Sequence, residues 1–227
     1  WTDHFADAFK DKYAHSGFIA GRVVLQQRGS YTVVTENGPV TARPTGRLLH
    51  EADDIGQPCV GDWVALLMDE QAGIGTVQAI LPRKSALVRR AIEDASRATQ
   101  IIAANIDVAF IVTSLNADLN LRRIQRYLAA VRQSGAQPVV VLTKADTTEY
   151  GDQALAVLDE LAAQDVPLLK VNALDADSVS QLPPWLQAGH TAVLVGSSGV
   201  GKSTLTNTLL GHERMRTAAV RANDSRG

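Results

Sequence analysis

The string Gly196-Ser197-Ser198-Gly199-Val200-Gly201-Lys202-Ser203 matches the phosphate-loop pattern G-x-x-x-x-G-K-[ST]. Its glycines let backbone N–H groups point inward without Cβ collisions, and the helix that follows adds the positive end of its dipole. In such a loop Lys202 is expected to reach the β- and γ-phosphates and Ser203 to ligate magnesium. Thr204 is expected to hold a phosphate oxygen by its hydroxyl or its N–H. A plain strand-to-helix turn is the bland alternative. Against it, residues 191–195 read as an apolar strand and residues 202–210 as a helix, the two flanks a phosphate loop needs.

A second motif bears on the base. The apolar run at 138–142 reads as a strand that carries Thr143-Lys144-Ala145-Asp146 to its carboxyl end, where open α/β sheets bind ligands. The string resembles the N/T-K-x-D guanine motif of GTPases. A carboxylate at Asp146 can accept from both the N1–H and the exocyclic amine of guanine, whereas adenine lacks those donors in that arrangement. The Lys144 stem can lie over the purine with its ammonium near solvent. Thr143 departs from the usual Asn, since a hydroxyl makes fewer contacts than an amide. That leaves open a polar turn in which Asp146 or Thr147 caps a helix. Asn172-Ala173-Leu174, after the strand 167–171, resembles the S-A-x loop whose backbone N–H touches guanine O6.

The elements that must hold these loops follow from periodicity. From residue 105 onward apolar runs alternate with helical segments, the pattern of a parallel α/β sheet. Strands are expected at 108–113, 138–142, 167–171 and 191–195, with helices at 121–133, 152–164 and 202–210. Because guanine motif and S-A-x loop precede the phosphate loop, the reverse of the usual GTPase order, the domain is a circular permutation, which sheet topology tolerates. Upstream, a period of two marks strands at 17–27, 31–35, 40–43, 62–68 and 75–81, with a tight turn at Glu36-Asn37-Gly38-Pro39. Such spacing suits a Greek-key barrel of the OB type, and an SH3-like barrel would read much the same. The expected domains are 1–98, the barrel with its exit segment, and 99–227, the nucleotide domain.

Composition removes alternatives. In 227 residues, 45% hydrophobic and 20% charged content argues for a folded chain rather than a disordered one. The longest apolar stretch, 101–112, is broken by Asn105 and Asp107 and is too short to cross a bilayer. A net charge of −2 excludes a surface that coats nucleic acid throughout. A local basic stretch stands out, with Arg83, Lys84, Arg89, Arg90 and Arg97 against Glu93 and Asp94. It is either a solvated linker or a contact to a phosphate backbone. The single cysteine, Cys59, can form no internal disulfide and reads as a small buried residue in a reducing, cytoplasmic setting. The histidines His4, His15, His50, His190 and His212 show no ligand spacing. The chain begins at Trp1 without an initiator Met and is expected to be an excerpt of a longer protein.

Taken with the permuted motifs, three strings in the first half resemble one family. They are Val60-Gly61-Asp62-Trp63-Val64, Leu81-Pro82-Arg83-Lys84-Ser85 and Ala104-Asn105-Ile106-Asp107, joined by Leu115-Asn116-Ala117-Asp118-Leu119-Asn120 in the second. The chain is similar throughout to the circularly permuted ribosome-assembly GTPases of the RsgA/YjeQ type. That resemblance implies an OB barrel that binds ribosomal RNA, and a monomer acting late in maturation of the small ribosomal subunit. It implies turnover of GTP to GDP with magnesium, stimulated by the subunit, and no membrane. It also implies a first switch, a D-x-P-G loop and a zinc-binding domain beyond Gly227, and Asp107 and Asp118 read as turn or cap residues that cannot replace the D-x-P-G aspartate. Two other functions stay open: an RNA-binding module that senses guanine nucleotide with incidental hydrolysis, and an ATP-dependent P-loop protein.

Overall fold

The computed structural model describes residues 1–13, 17–50, 56–89, 100–115, 119–145, 152–215 and 217. Outside these lie Asp146, which ends the string Thr143 to Asp146, the alternative cap Thr147, 116–118, His15, Arg90, Arg97, Glu93 and Asp94. The chain divides into two compact units, Trp1–Ile106 and Asp107–Gly227. The division falls later than residue 98 because a hairpin that follows the barrel belongs with it.

The first unit is a closed barrel of β1 (Ile19–Gln27), β2 (Ser30–Thr35), β3 (Gly38–Pro44), β4 (Trp63–Asp69) and β5 (Ile74–Ile80) in the order β1-β2-β3-β5-β4. Neighbours pair antiparallel except β3 with β5, which run parallel, giving the Greek-key closure of an OB barrel. Alternate residues Val23, Val33, Val64, Leu66 and Val77 fill the interior. Gly21 faces that interior, where a Cβ would lie 2.5 Å from Val33 Cγ1. In the β2–β3 turn the two linking residues are Glu36 and Asn37, and positive φ falls on Gly38 alone. The Thr35 hydroxyl accepts from Asn37 N–H and donates to the Gly38 carbonyl, so the turn is held by a side chain.

Periodicity missed four elements here. Helix α1 (Asp3–Tyr13) lays Phe5 against Trp63 of β4, with Trp1 edge-on to the same indole at 4.7 Å. Helix α2 (Gly46–His50) is short. Strands β6 (Ala86–Arg89) and β7 (Gln100–Ala104) form the hairpin that extends the unit to Ile106.

At the hairpin's base the basic stretch is put to a use the sequence did not suggest. Arg83 donates from Nε and Nη2 to the two carboxylate oxygens of Asp62, each at 2.7 Å, and from Nη2 to the Gln57 carbonyl. Asp62 is fully buried. The Lys84 ammonium donates to Thr2 Oγ1 and stands over the Phe5 ring. Two of the five cations of the stretch therefore bind inside the unit, while Arg89 is exposed.

The second unit is a parallel sheet in the order β10-β9-β8-β11, made of β8 (Val108–Ser114), β9 (Gln137–Thr143), β10 (Leu168–Lys170) and β11 (Ala192–Val195). Every residue of central β8 is buried, whereas β10 and β11, at the sheet's edges, are mostly half-buried, with Lys170 exposed and Val195 buried. Helix α3 (Leu121–Ser134) packs on β8 and β9 through Ile124, Leu128 and Val131. The opposite sheet face, Phe110, Val112, Val139 and Val141, is covered by α5 (Ala176–Val179), a 3-10 turn Pro183–Trp185 and α6 (Lys202–Leu210). Helix α4 (Asp152–Ala162) links β9 to β10. Asp107 is indeed a capping residue: its carboxylate accepts from Thr191 N–H at 2.7 Å, tying the starts of β8 and β11.

Candidate nucleotide site

The chain steps from β8 outward to β9 and β10, then returns to place β11 on the other side of β8. A reversal of this kind opens a crevice at the carboxyl ends of the strands, the ordinary ligand position in open α/β sheets. The carboxyl ends of β8, β9, β10 and β11 lie along that edge, and three of them lead into the strings singled out from sequence.

The loop after β11 is shaped by close backbone approach. Gly196 has φ +150°, and a Cβ there would fall 2.1 Å from the Val112 carbonyl oxygen, so only glycine lets the chain leave β11 against β8. Gly199 and Gly201 also have positive φ. Ser198 and Gly199 are exposed at the tip, while Val200 is buried in the core and pins the loop from beneath. Gly201 is the N-cap of α6 and supplies no side-chain acceptor, so the first N–H groups of the helix face the loop's hollow. Ser203 and Thr204 stand in that first turn, half-buried. The Lys202 ammonium donates to the carbonyls of Gly196 and Ser197, and burial pulls its pKa below the ordinary lysine value. These groups form a cationic, donor-rich hollow suited to an anion.

Thr143 ends β9 fully buried. Its hydroxyl donates to the Val200 carbonyl at 2.7 Å and lies 3.3 Å from that of Thr113. The departure from Asn thus retains a function: a hydroxyl at this position joins the end of β9 to the phosphate loop. Lys144 follows with φ +58°, uncommon for a residue with a Cβ, which turns the chain sharply at the strand end. Ala145 is half-buried beside it, and Asp146 lies outside the described residues.

The loop after β10 is also braced. Asn172 Oδ1 accepts from Leu174 N–H, and Asn172 N–H donates to Ser178 Oγ. The Ala173 carbonyl accepts from the Thr208 hydroxyl of α6 at 2.6 Å. Leu174 is 81% exposed, so of the three residues it alone projects outward.

Two residues outside the motifs therefore belong to the arrangement, Thr208 and, from α3, Arg123, whose Nη1 donates to Ser197 Oγ at 3.0 Å. The signal available for Thr208 was its place one helical turn after Thr204; for Arg123 it was its place three residues after the capping Asn120. For magnesium, the Ser203 hydroxyl is a hard oxygen donor at the head of α6, the kind of single protein ligand that phosphate oxygens and water complete. Among the described residues there is no cluster of three or more His, Cys, Asp or Glu.

Comparison with known proteins agrees with this architecture. A family model described as RsgA GTPase matches residues 80–227. The chain is 53% identical over 222 residues to the small ribosomal subunit biogenesis GTPase RsgA of Xanthomonas axonopodis pv. citri (strain 306), covering 94% of this chain and 58% of that protein. It is also 53% identical over 222 residues to the protein of the same name from Xanthomonas euvesicatoria pv. vesicatoria (strain 85-10), with the same coverage. The chain thus spans 58% of the length of these curated relatives. In fold it is similar to the crystal structure of YjeQ from Thermotoga maritima, with a TM-score of 0.63 at 24% identity over 85% of this chain and 65% of that one. It is likewise similar to YloQ, described as a circularly permuted GTPase, with a TM-score of 0.60 at 24% identity over 86% of this chain and 65% of that one.

Proposed function

The chain belongs to the RsgA GTPase family, and from that premise we propose that it binds GTP at the carboxyl edge of the second unit's sheet and hydrolyses it to GDP and phosphate. The observation that carries the reading is the Thr143–Val200 hydrogen bond, which couples the strand end bearing the guanine motif to the phosphate loop. Base and phosphates are then read by one connected piece of backbone.

In this reading Lys202 and the loop N–H groups neutralise phosphate charge as it builds on the leaving group. Asp146 accepts from guanine, the Lys144 stem covers the ring, and Ala173 and Leu174 lie at O6. Ser203 would hold magnesium, which adds positive charge between the phosphates. The OB barrel binds ribosomal RNA of the small subunit, in whose late maturation the protein acts as a cytoplasmic monomer, and subunit binding stimulates hydrolysis. Arg89 and the exposed outer strand faces remain available to such RNA, whereas Arg83 is committed to Asp62. Zinc would be held only by a segment outside this chain.

The test is a single turnover series. GTP should displace a fluorescent guanine nucleotide from the protein, ATP should not, and purified small subunits should raise the hydrolysis rate. An ATP preference would sink the base assignment. A rate indifferent to subunits, with RNA binding still following nucleotide state, would leave a nucleotide-sensing RNA-binding module instead of a subunit-stimulated enzyme.

A further inference from the structure

We propose that Arg123 is a positioning residue of the phosphate site, setting the first turn of the phosphate loop through the Ser197 hydroxyl and adding a positive charge to the field that binds the triphosphate. The proposal rests on the nucleotide reading above.

The fold delivers this arginine to the loop. Strands β8 and β11 are parallel neighbours, so the helix that follows β8 begins beside the loop that follows β11. Asn120 caps α3, its side chain accepting from Arg123 N–H at 3.0 Å, which fixes the backbone of the arginine. Helical side chains lean toward the N-terminus of their helix, here toward the carboxyl edge of the sheet. The Arg123 guanidinium there donates to Ser197 Oγ at 3.0 Å.

Ser197 is consequently held by two cations from different elements. Arg123 of α3 takes its hydroxyl, and Lys202 of α6 takes its carbonyl. On the loop the two acceptors are the Ser197 hydroxyl and the Ser197 carbonyl, so the two cations grip the same residue at different atoms. A guanidinium stays protonated and keeps a planar fork, which suits fixing one hydroxyl in one orientation better than a flexible ammonium does. Its charge should matter more the more negative the ligand. GTP should therefore depend on it more than GDP, and added salt should shrink the difference.

Equilibrium titration of the full chain with fluorescent GTP and GDP analogues tests this with Arg123→Gln, Arg123→Lys and Ser197→Ala. The readout is the ratio of the two affinities, because a loss of folded protein lowers both equally and leaves that ratio unchanged. Arg123→Gln is expected to weaken GTP roughly tenfold and GDP by clearly less. Arg123→Lys should recover part of the GTP loss, and Ser197→Ala should show a smaller loss than Arg123→Gln. Unchanged affinities in Arg123→Gln, or equal losses for both nucleotides, would overturn the proposal. A wild-type chain that binds neither nucleotide would overturn the nucleotide reading and this inference with it.

Discussion

Two polar clusters, one in each unit, look alike in sequence and are opposite in chemistry. The hairpin base of the first unit joins Gly61, Asp62, Arg83, Ser85 and Asn105; the phosphate loop of the second joins Gly196 to Ser203. Each begins with a glycine of positive φ whose Cβ would strike a carbonyl oxygen at 2.1 Å, Ala104 for Gly61 and Val112 for Gly196. In the first, every charge meets its opposite or a matched dipole. Asp62 holds Arg83 with two bonds, Asn105 donates to the Gly61 carbonyl and accepts from Lys84 N–H, and the Ser85 hydroxyl bridges both backbone groups of Ile106. In the second, among the described residues, the Lys202 cation is held only by neutral carbonyls. Glycine and close backbone approach do not distinguish a fold-building string from one proposed to bind a ligand. Charge compensation does.

Removing the compensation should produce the largest effect. Asp62→Ala leaves Arg83 half-buried beside an empty carboxylate position, and is expected to cost about 3–5 kcal/mol of stability. Urea unfolding measures it. Nucleotide affinity, read at a temperature where the variant is folded, should stay at the wild-type value. A variant that unfolds normally but loses nucleotide would break the comparison, by making the hairpin base part of the site.

The converse substitution acts on binding. Lys202→Ala should leave stability within about 0.5 kcal/mol of wild type, since no opposite charge is stranded. It should remove about 2–3 kcal/mol of nucleotide binding, the worth of a charge-assisted contact to phosphate. Calorimetric titration with GDP and a matched unfolding curve give both numbers. A large stability loss would mean that the two carbonyls need the ammonium as much as Asp62 needs Arg83.

The difference between the clusters also explains what could be read in advance. All five barrel strands and the four strands of the parallel sheet were legible, within a few residues, because apolar periodicity is local. The strand–loop–helix frame around Gly196 to Ser203 was legible because its glycine spacing is a local pattern flanked by an apolar strand and a helix. The roles of Arg83 and Thr143 were not, since each depends on a partner far along the chain, Asp62 and Val200. Arg83 counted as part of a basic strip because a sequence shows charge but not its neutralisation. Helix α1 escaped because its buried face is the single residue Phe5, too little to set a period.

The smallest effect contrasts the two clusters in alkaline solution. Burial first, and then the charge of Asp62, push the Cys59 thiol well above its ordinary 9.0, with Arg83 opposing. Above pH 9.0 the unfolded chain gives up this proton and the folded one keeps it, so stability that is complete below that value falls as pH rises. One unit of pH beyond it should cost about 1 kcal/mol. Burial shifts Lys202 the other way, below 10.5. The folded chain then releases that proton before the unfolded one does, so this group makes stability rise with pH up to the ordinary lysine value. Urea unfolding near neutral pH and at about pH 10 separates the two. Cys59→Ala should flatten the alkaline decline and Lys202→Met should steepen it. Tyr31, also raised by burial and then by Cys59 and Asp62, adds to the decline only past 10.0. If both variants moved the slope in the same direction, the opposed electrostatics assigned to the two clusters would be wrong.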